Sequence, residues 1–459
     1  MVSRTIIDPT TSQLVGLPMP LLLLLMAGLG GCATHAERLI GPRNAFYAND
    51  LPHAQEQLSK LSAKPKSDST VVELDLAMVD LLAGNPAGAE ARLRQVRDKW
   101  DHLEQKSMAE EVTSYLTDDG RRAYSGEDYE KLLVRVFLTL SSMMNDGVDA
   151  SSYSLQAMDK HDEMRLQAEQ RWEQELPESY CVPPVVPYLR GVIREATLSN
   201  YDDALRSYEH AQRLLPDSPL LALDVERVTH GVHSPAGSGV VYVIALVGRG
   251  PYKVEVEEHA TQQALLIADR IVSAVGKYSV PPTLAPVKIP QIVSPPKPFD
   301  LLGVEVNGVA VATTLPITDL HQLATETYAY KLPEVMARTV ARRIVKKGAV
   351  YAAKDQLEAS STIASLAMDA AGVLWEATES ADTRCWGLLP REIQILRVEL
   401  PAGTHQFNLE PVRGGTAVGR GVPCNVEVVD GGNTYVLSYW PDLQPIGEVL
   451  VSPLRGGLN

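Results

Sequence analysis

A chain of 459 residues with 45% hydrophobic and 22% charged residues can bury a large core, and its length suits two or three domains rather than one. A formal charge of −15 with a pI near 5.2 argues against binding nucleic acid or an anionic bilayer through bulk charge, leaving local basic patches open.

At the start of the chain, Arg4 precedes an apolar run from Leu14 to Leu29, followed by Gly30 and Gly31. The run is interrupted by Pro18 and Pro20 and falls short of the roughly 20 residues that span a bilayer, so residues 1–31 read as a cleaved export signal. Leu29-Gly30-Gly31-Cys32 looks like a lipobox, an apolar residue and two small ones before a cysteine whose thiol takes a diacylglyceryl group. The other reading of Cys32 is a buried thiol behind an ordinary signal. In sorted lipoproteins an Asp after the cysteine holds the chain in the inner membrane. Here Ala33 follows, so the resemblance implies an outer-membrane anchor facing the periplasm. Acyl chains contribute about 0.8 kcal/mol per buried methylene, and more than one chain makes such an anchor stable. Residues 32–43 are then anchor and linker.

Residues 44–228 read as helices in succession, with apolar residues recurring at three and four and Asn-Pro, Asp-Gly and Ser-Pro breaks. Asn85-Pro86 opens a helix with Ala89, Leu93, Val96 and Trp100 on one face, predicted to pair with a helix carrying Leu74, Met78, Leu81 and Leu82. From Tyr188 to Pro219, Ala204, Tyr208 and Ala211 hold the small–aromatic–small pattern of a tetratricopeptide repeat, and Tyr124 to Leu133 opens a second match. A stack of such hairpins presents a concave surface for peptides or proteins. Alternatively, the helices only support the next domain.

Residues 229–390 read as α+β. Val240 to Val247 is a strand, and Tyr252 to Val256 is expected to fold back on it as a hairpin. Seven prolines between Pro281 and Pro298 predict an extended connector, after which Val304, Val306 and Val309 resume strand character. Leu332-Pro333-Glu334 is expected to begin a basic helix over 333–347, with proline in its first turn. Arg338, Arg342 and Lys346, with Arg343 and Lys347 beside them, form a ridge. It is either a contact for an anionic group or a solvated helix face. Ser360 to Ala377 is expected to continue as a helix. Residues 391–459 read as a small antiparallel sheet or sandwich, with Gln406 to Leu409 returning after a turn at Pro401-Ala402-Gly403. The fold class is therefore multidomain α, then α+β.

The lipobox, Tyr124 to Leu133, Tyr188 to Pro216, Gly250-Pro251-Tyr252-Lys253, Leu332 to Arg343, and Asp382 to Pro390 running into Leu400 to His405 together resemble a family of bacterial tetratricopeptide-containing lipoproteins. The resemblance covers most of the mature chain. Genes of that family often neighbour one for an activator of penicillin-binding proteins, which implies cell-envelope work by association. The family supplies no catalytic residues, and it usually has Ser where this chain has Cys385.

Walker, H-E-x-x-H, G-x-S-x-G and zinc-deaminase patterns are absent from the sequence. Cys181, Cys385 and Cys424 have no metal-like spacing. Cys385 with Cys424 is the one disulfide candidate, against three separate buried thiols. His230 and His233 lie in a turn without acidic or thiol neighbours, while Asp118-Asp119 and Asp202-Asp203 are adjacent and point apart on a helix, which suits solvated faces better than acid–base pairs. The expectation is a non-enzymatic envelope lipoprotein that docks unidentified envelope proteins, with no metal, cofactor or nucleic acid. The alternatives are a regulator of a peptidoglycan synthase, or a ligand-binding protein or enzyme with a pocket between domains.

Overall fold

Apolar residues spaced at three and four build the first half of the chain. The computed structural model describes residues 35–109, 122–275, 280, 284–356 and 380–454. Its helices run α1 His35–Tyr47, α2 Leu51–Ser62, α3 Ser69–Leu82, α4 Pro86–Ala109, α5 Asp128–Met144, α6 Ala150–Trp172, α7 Val185–Glu195, α8 Tyr201–Leu214 and α9 Pro219–Thr229. Ala89, Leu93, Val96 and Trp100 of α4 are buried against α3, as their spacing predicts. Helix α5 is buried from Tyr129 to Met144 and forms the spine of this layer.

Residues 35–43, expected in a linker, instead belong to α1. Leu39, Pro42 and Phe46 recur at i, i+3 and i+7, and this stripe is buried in the helical core.

The second half is α+β. Its elements are β1 Ser238–Arg249, β2 Tyr252–Glu258, α10 Gln262–Val275, β3 Val287–Val293, β4 Leu301–Val306, β5 Val309–Thr313, β6 Leu315–Asp319 and α11 Leu320–Gln356, then β7 Pro390–Pro401, β8 Gly403–Arg413, β9 Thr416–Ala417, β10 Val422–Val428, β11 Asn433–Trp440 and β12 Ile446–Val451. One sheet has the order β12-β11-β1-β7-β6, and a second the order β10-β8-β4-β5 with β9 beside β8. Strand β1 is buried from Gly239 to Gly248. Tyr242, Ile244 and Leu246 face the helices, whereas Val241, Val243, Ala245 and Val247 meet Val304, Phe407, Leu409 and Val426 of the second sheet. The molecule is thus layered as helices, first sheet, second sheet.

That central place explains several departures from the sequence reading. Both edges of β1 are taken, by β7 antiparallel and by β11 parallel. Strand β2 therefore pairs with β3 in a separate ribbon instead of forming a hairpin with β1. The Pro-rich stretch contains β3 itself, since Pro290 needs no donor in a two-stranded ribbon. Strand β8 leaves β7 at Gly403 and enters the second sheet between β10 and β4, so no β7–β8 hairpin forms. The parallel β1–β11 pair makes the first sheet mixed, not purely antiparallel. Strands from both sides of residue 390 share both sheets, so 229–390 and 391–459 are hydrogen-bonded together rather than stacked as successive units.

Helix α11 begins at Leu320 rather than at Pro333. Asp319 caps it, its carboxylate accepting from the amides of His321 (2.8 Å) and Gln322 (3.0 Å), and Pro333 lies inside. Helices α10 and α11 pack over β3 through Ala264, Ala268, Val272, Ile289, Met336 and Val340, a third core.

Candidate functional site

Two polar places stand out, a surface groove and a buried charge network. The groove, about 400 Å³, runs along α2 and α4 beside the α3–α4 turn and is lined by Gln55, Asp80, Asn85, Gly88, Ala91, Arg92 and Gln95. Asp80 is its fixed floor. Its buried carboxylate accepts from Gln55 Nε2 at 3.0 Å and from Arg92 Nε at 2.7 Å, while Arg92 also reaches Glu73 at 2.7 Å. Burial opposes the Arg92 charge, yet the two carboxylates raise its pKa overall. Asn85 Oδ1 accepts from the Gly88 amide at 3.0 Å, which seats the start of α4 and fixes the Asn85 side chain at the groove's end. The exposed amides of Gln55, Asn85 and Gln95 each offer both donor and acceptor capacity.

The charge network sits elsewhere, where α5, β2, α11 and the 380–390 segment meet. Glu127 and Glu130 form a capping box at the start of α5, with the Glu127 amide donating to Glu130 Oε2 at 3.1 Å. Fully buried Glu130 also accepts from Tyr124 Oη at 2.6 Å and from the Trp386 amide at 2.8 Å. Lys253 of β2 pairs with Glu127, and Lys331 of α11 bridges Glu127 at 3.3 Å and Asp128 at 2.9 Å. Tyr180 donates to Asp128 at 2.6 Å.

Burial pushes the Glu127 carboxyl up, but Lys253 and Lys331 outweigh it and hold the pKa at about 2. Asp128 is likewise depressed, its burial overcome by Lys331 and Lys131. Glu130 is raised by burial and by Glu127, which outweigh Lys253 and the hydrogen bonds from Tyr124 and Trp386. Lys253 and Lys331 pair with Glu127 and Asp128, while Lys131 divides between Glu104 at 2.5 Å and Asp128 at 3.4 Å. Such a network locks elements together.

Asp382, Arg384 and Trp386 extend the lock. Arg384 donates to the carbonyls of Ser67 (3.1 Å) and Arg122 (2.6 Å), and Trp386 is fully buried against Phe137 with ring centroids 5.2 Å apart. The sequence reading drew on Asp382 to Pro390 as part of the family resemblance, and it did not bring Glu127, Lys253 and Lys331 together. Nothing in their local spacing joins residues so far apart in the chain.

Of the residues singled out from sequence, Leu29, Gly30, Gly31 and Cys32 lie outside the described residues, as do Asp118, Asp119 and the expected 360–377 helix. The basic ridge is largely engaged. Arg342 is buried and donates to Thr339 Oγ1 at 3.2 Å, Arg343 donates to the carbonyls of Ala285 (3.0 Å) and Pro286 (3.1 Å), and Arg338 pairs with Glu334. Lys346 is half-buried, and Lys347 is exposed. Asp203 is ringed by Arg190, Arg194 and Arg206; burial raises its pKa, but these cations lower it overall.

The three described cysteines are separate thiols. Burial pushes Cys385 and Cys424 up to about 11. His230 Nδ1 lies 2.8 Å from the Glu226 carbonyl and His233 Nε2 lies 2.8 Å from Asn433 Oδ1. Among the described residues no cluster of three or more His, Cys, Asp or Glu is placed to hold a metal, and no helix is long and apolar enough to cross a membrane.

Compared with protein-family models, curated proteins and solved structures, the chain matches none.

Proposed function

We propose that the chain is a non-enzymatic outer-membrane lipoprotein, anchored through Cys32 and facing the periplasm, whose tetratricopeptide-like helices dock a segment of another envelope protein. The groove between α2 and α4 is the observation that carries this reading. Its exposed amides suit the alternating donors and acceptors of an extended peptide backbone, and the Asp80–Arg92–Glu73 chain holds its floor in one geometry.

The α7–α8 hairpin supports the repeat reading. Ala204, Tyr208 and Ala211 are fully buried, and a Cβ on Gly191 would lie 2.6 Å from the Tyr208 ring, a closeness that requires glycine at the crossing. The rival ligand-pocket reading draws less support. A crevice between α5, α7 and the first sheet, lined by Met143, Leu189, Val192 and Ile244 among others, has a cavity volume of about 0 Å³, too tight even for a water molecule, against roughly 300–1,000 Å³ for small-molecule sites.

The test is crosslinking and affinity capture of the anchored chain from envelope fractions, beside Asn85→Ala/Gln95→Ala and Cys32→Ala variants. One stoichiometric partner, lost with the groove variant and reduced without the anchor, is the expected result. A partner captured equally by the groove variant would overturn the assignment of the groove. Recovery of no partner, together with thermal stabilisation by a small molecule, would favour the ligand-binding reading.

A further inference from the structure

The short covalent path between Cys32 and the folded body bears on how the anchored protein stands on its membrane. Helix α1 starts at His35, so only Ala33 and Thr34 separate it from the lipidation position. Three residue steps reach at most about 11 Å even when fully extended.

The helix itself cannot swing freely. In its first turn Arg38 holds Asp68 at 2.8 Å, and in its middle Arg43 holds fully buried Asp75 at 2.9 Å and donates to the Cys385 carbonyl at 3.2 Å. At its end Tyr47 donates to the Gly387 carbonyl at 3.1 Å, with the Arg249 guanidinium 4.3 Å above its ring. Leu39 and Phe46 are fully buried between these points. A short leash on a docked helix limits how far the start of α1 can stand from the bilayer, so the surface around that start is the one brought to it.

We infer that the end of the body around the Arg38–Asp68 pair lies against the bilayer surface, with the α2–α3 connection at the headgroups and the second sheet turned away. Charge fits this placement. The chain as a whole is acidic at −15, yet the connection beside Asp68 exposes Lys64 and Lys66, and Lys99 reaches it through a 2.9 Å bond to Ser69. These cations match the anionic headgroups of a phospholipid surface. Ile40, 55% exposed on the outer side of α1, adds an apolar contact. The far layer, with the exposed β5 strand, is separated from the helices by the whole first sheet. This inference rests on the proposed lipidation of Cys32.

The test uses the full lipidated chain in vesicles of phosphatidylethanolamine and phosphatidylglycerol containing brominated lipid. A fluorophore is placed through Lys66→Cys or Val309→Cys, each with Cys424→Ser. Mass spectrometry first reads the diacylglyceryl group. Loss of fluorescence at position 66 with none at position 309 is expected. A Gly/Ser insertion of about 20 residues between Thr34 and His35, with a root-mean-square span of about 25 Å, should abolish the loss at 66. A lipidated chain quenched equally at both positions, or unaffected by the insertion, overturns the placement and leaves the anchor standing. An unlipidated Cys32 overturns the anchor and, with it, the placement.

Discussion

Replacing Glu127 by Gln keeps the shape of the side chain and removes its charge, leaving Lys253, whose side chain is 4% exposed, without its closest carboxylate. Lys331 keeps Asp128 at 2.9 Å, so the loss falls mainly on one ammonium. Two routes give the size. A carboxyl held at about 2 instead of 4.5 is stabilised by about 3 kcal/mol on folding. Breaking one buried ion pair from one side costs about 3–5 kcal/mol. The expected loss at pH 7 is therefore about 3 kcal/mol, measured by urea unfolding followed by tryptophan fluorescence.

The pH dependence fixes the mechanism. Because the folded pKa lies below the unfolded one, the Glu127 contribution is fully present above pH 4.5 and is lost as pH falls through about 2. Wild type and Glu127→Gln should converge over that window, since a protonated carboxyl and an amide are alike in charge. The double change Glu127→Gln/Lys253→Met should recover much of the stability, because it removes both charges from the junction. A gap that stays constant from pH 7 down to pH 3, with no recovery in the double variant, would refute the ion-pair account.

Trp386→Ala should cost about 3–5 kcal/mol, read as a lowered urea midpoint, because a fully buried indole packed against Phe137 of α5 is removed. Gly447→Ala should destabilise by 2 kcal/mol or more, about the upper range for an ordinary point change, since its Cβ would stand 2.0 Å from the Leu82 carbonyl oxygen in a residue already at φ +67°; unchanged thermal unfolding would contradict the close approach of β12 to α3. Cys181 and Cys385 should resist iodoacetamide at pH 8 in the native chain and react once it is unfolded in urea, because both are buried and their thiols are pushed up by burial. Rapid native alkylation at Cys385 would argue that the 380–390 segment opens.

Most helices of the first half were legible because they announce themselves locally, whereas α10 went unread. The α4 stripe of Ala89, Leu93, Val96 and Trp100 needs only the 3.6-residue period, and Pro86 and Pro219 mark helix starts that the structure keeps. The start of α11 was less legible. Pro333 looked like a first-turn residue because a helix interior loses a hydrogen bond there, while the true signal, Asp319 capping through its own carboxylate, sits between strand-like residues. Leu39 and Pro42 stand in helical spacing with Phe46, yet residues 32–43 were read as anchor and linker, so the first turns of α1 were missed.

Sheet pairing was hidden for a different reason. A run such as Val240 to Val247 tells that both faces are buried, yet its partners, β7 and β11, lie far down the chain and carry no local mark of which strand they join. A hairpin with β2 was the nearest choice in sequence, and it lost because β7 and β11 already satisfy the buried backbone groups on both edges of β1. The same argument applies to the charge network. Glu127 caps its own helix, a local role that its sequence context reveals, while its ammonium partners come from β2 and α11, elements that approach only after the sheets have formed. Lys253 and Lys331 would be costly to bury alone, so their deep placement makes the docking of β2 and α11 onto the helices conditional on Glu127 and Asp128. A junction built this way holds the helical layer and the β layers in one fixed relation, so the α2–α4 groove keeps a constant place relative to α1.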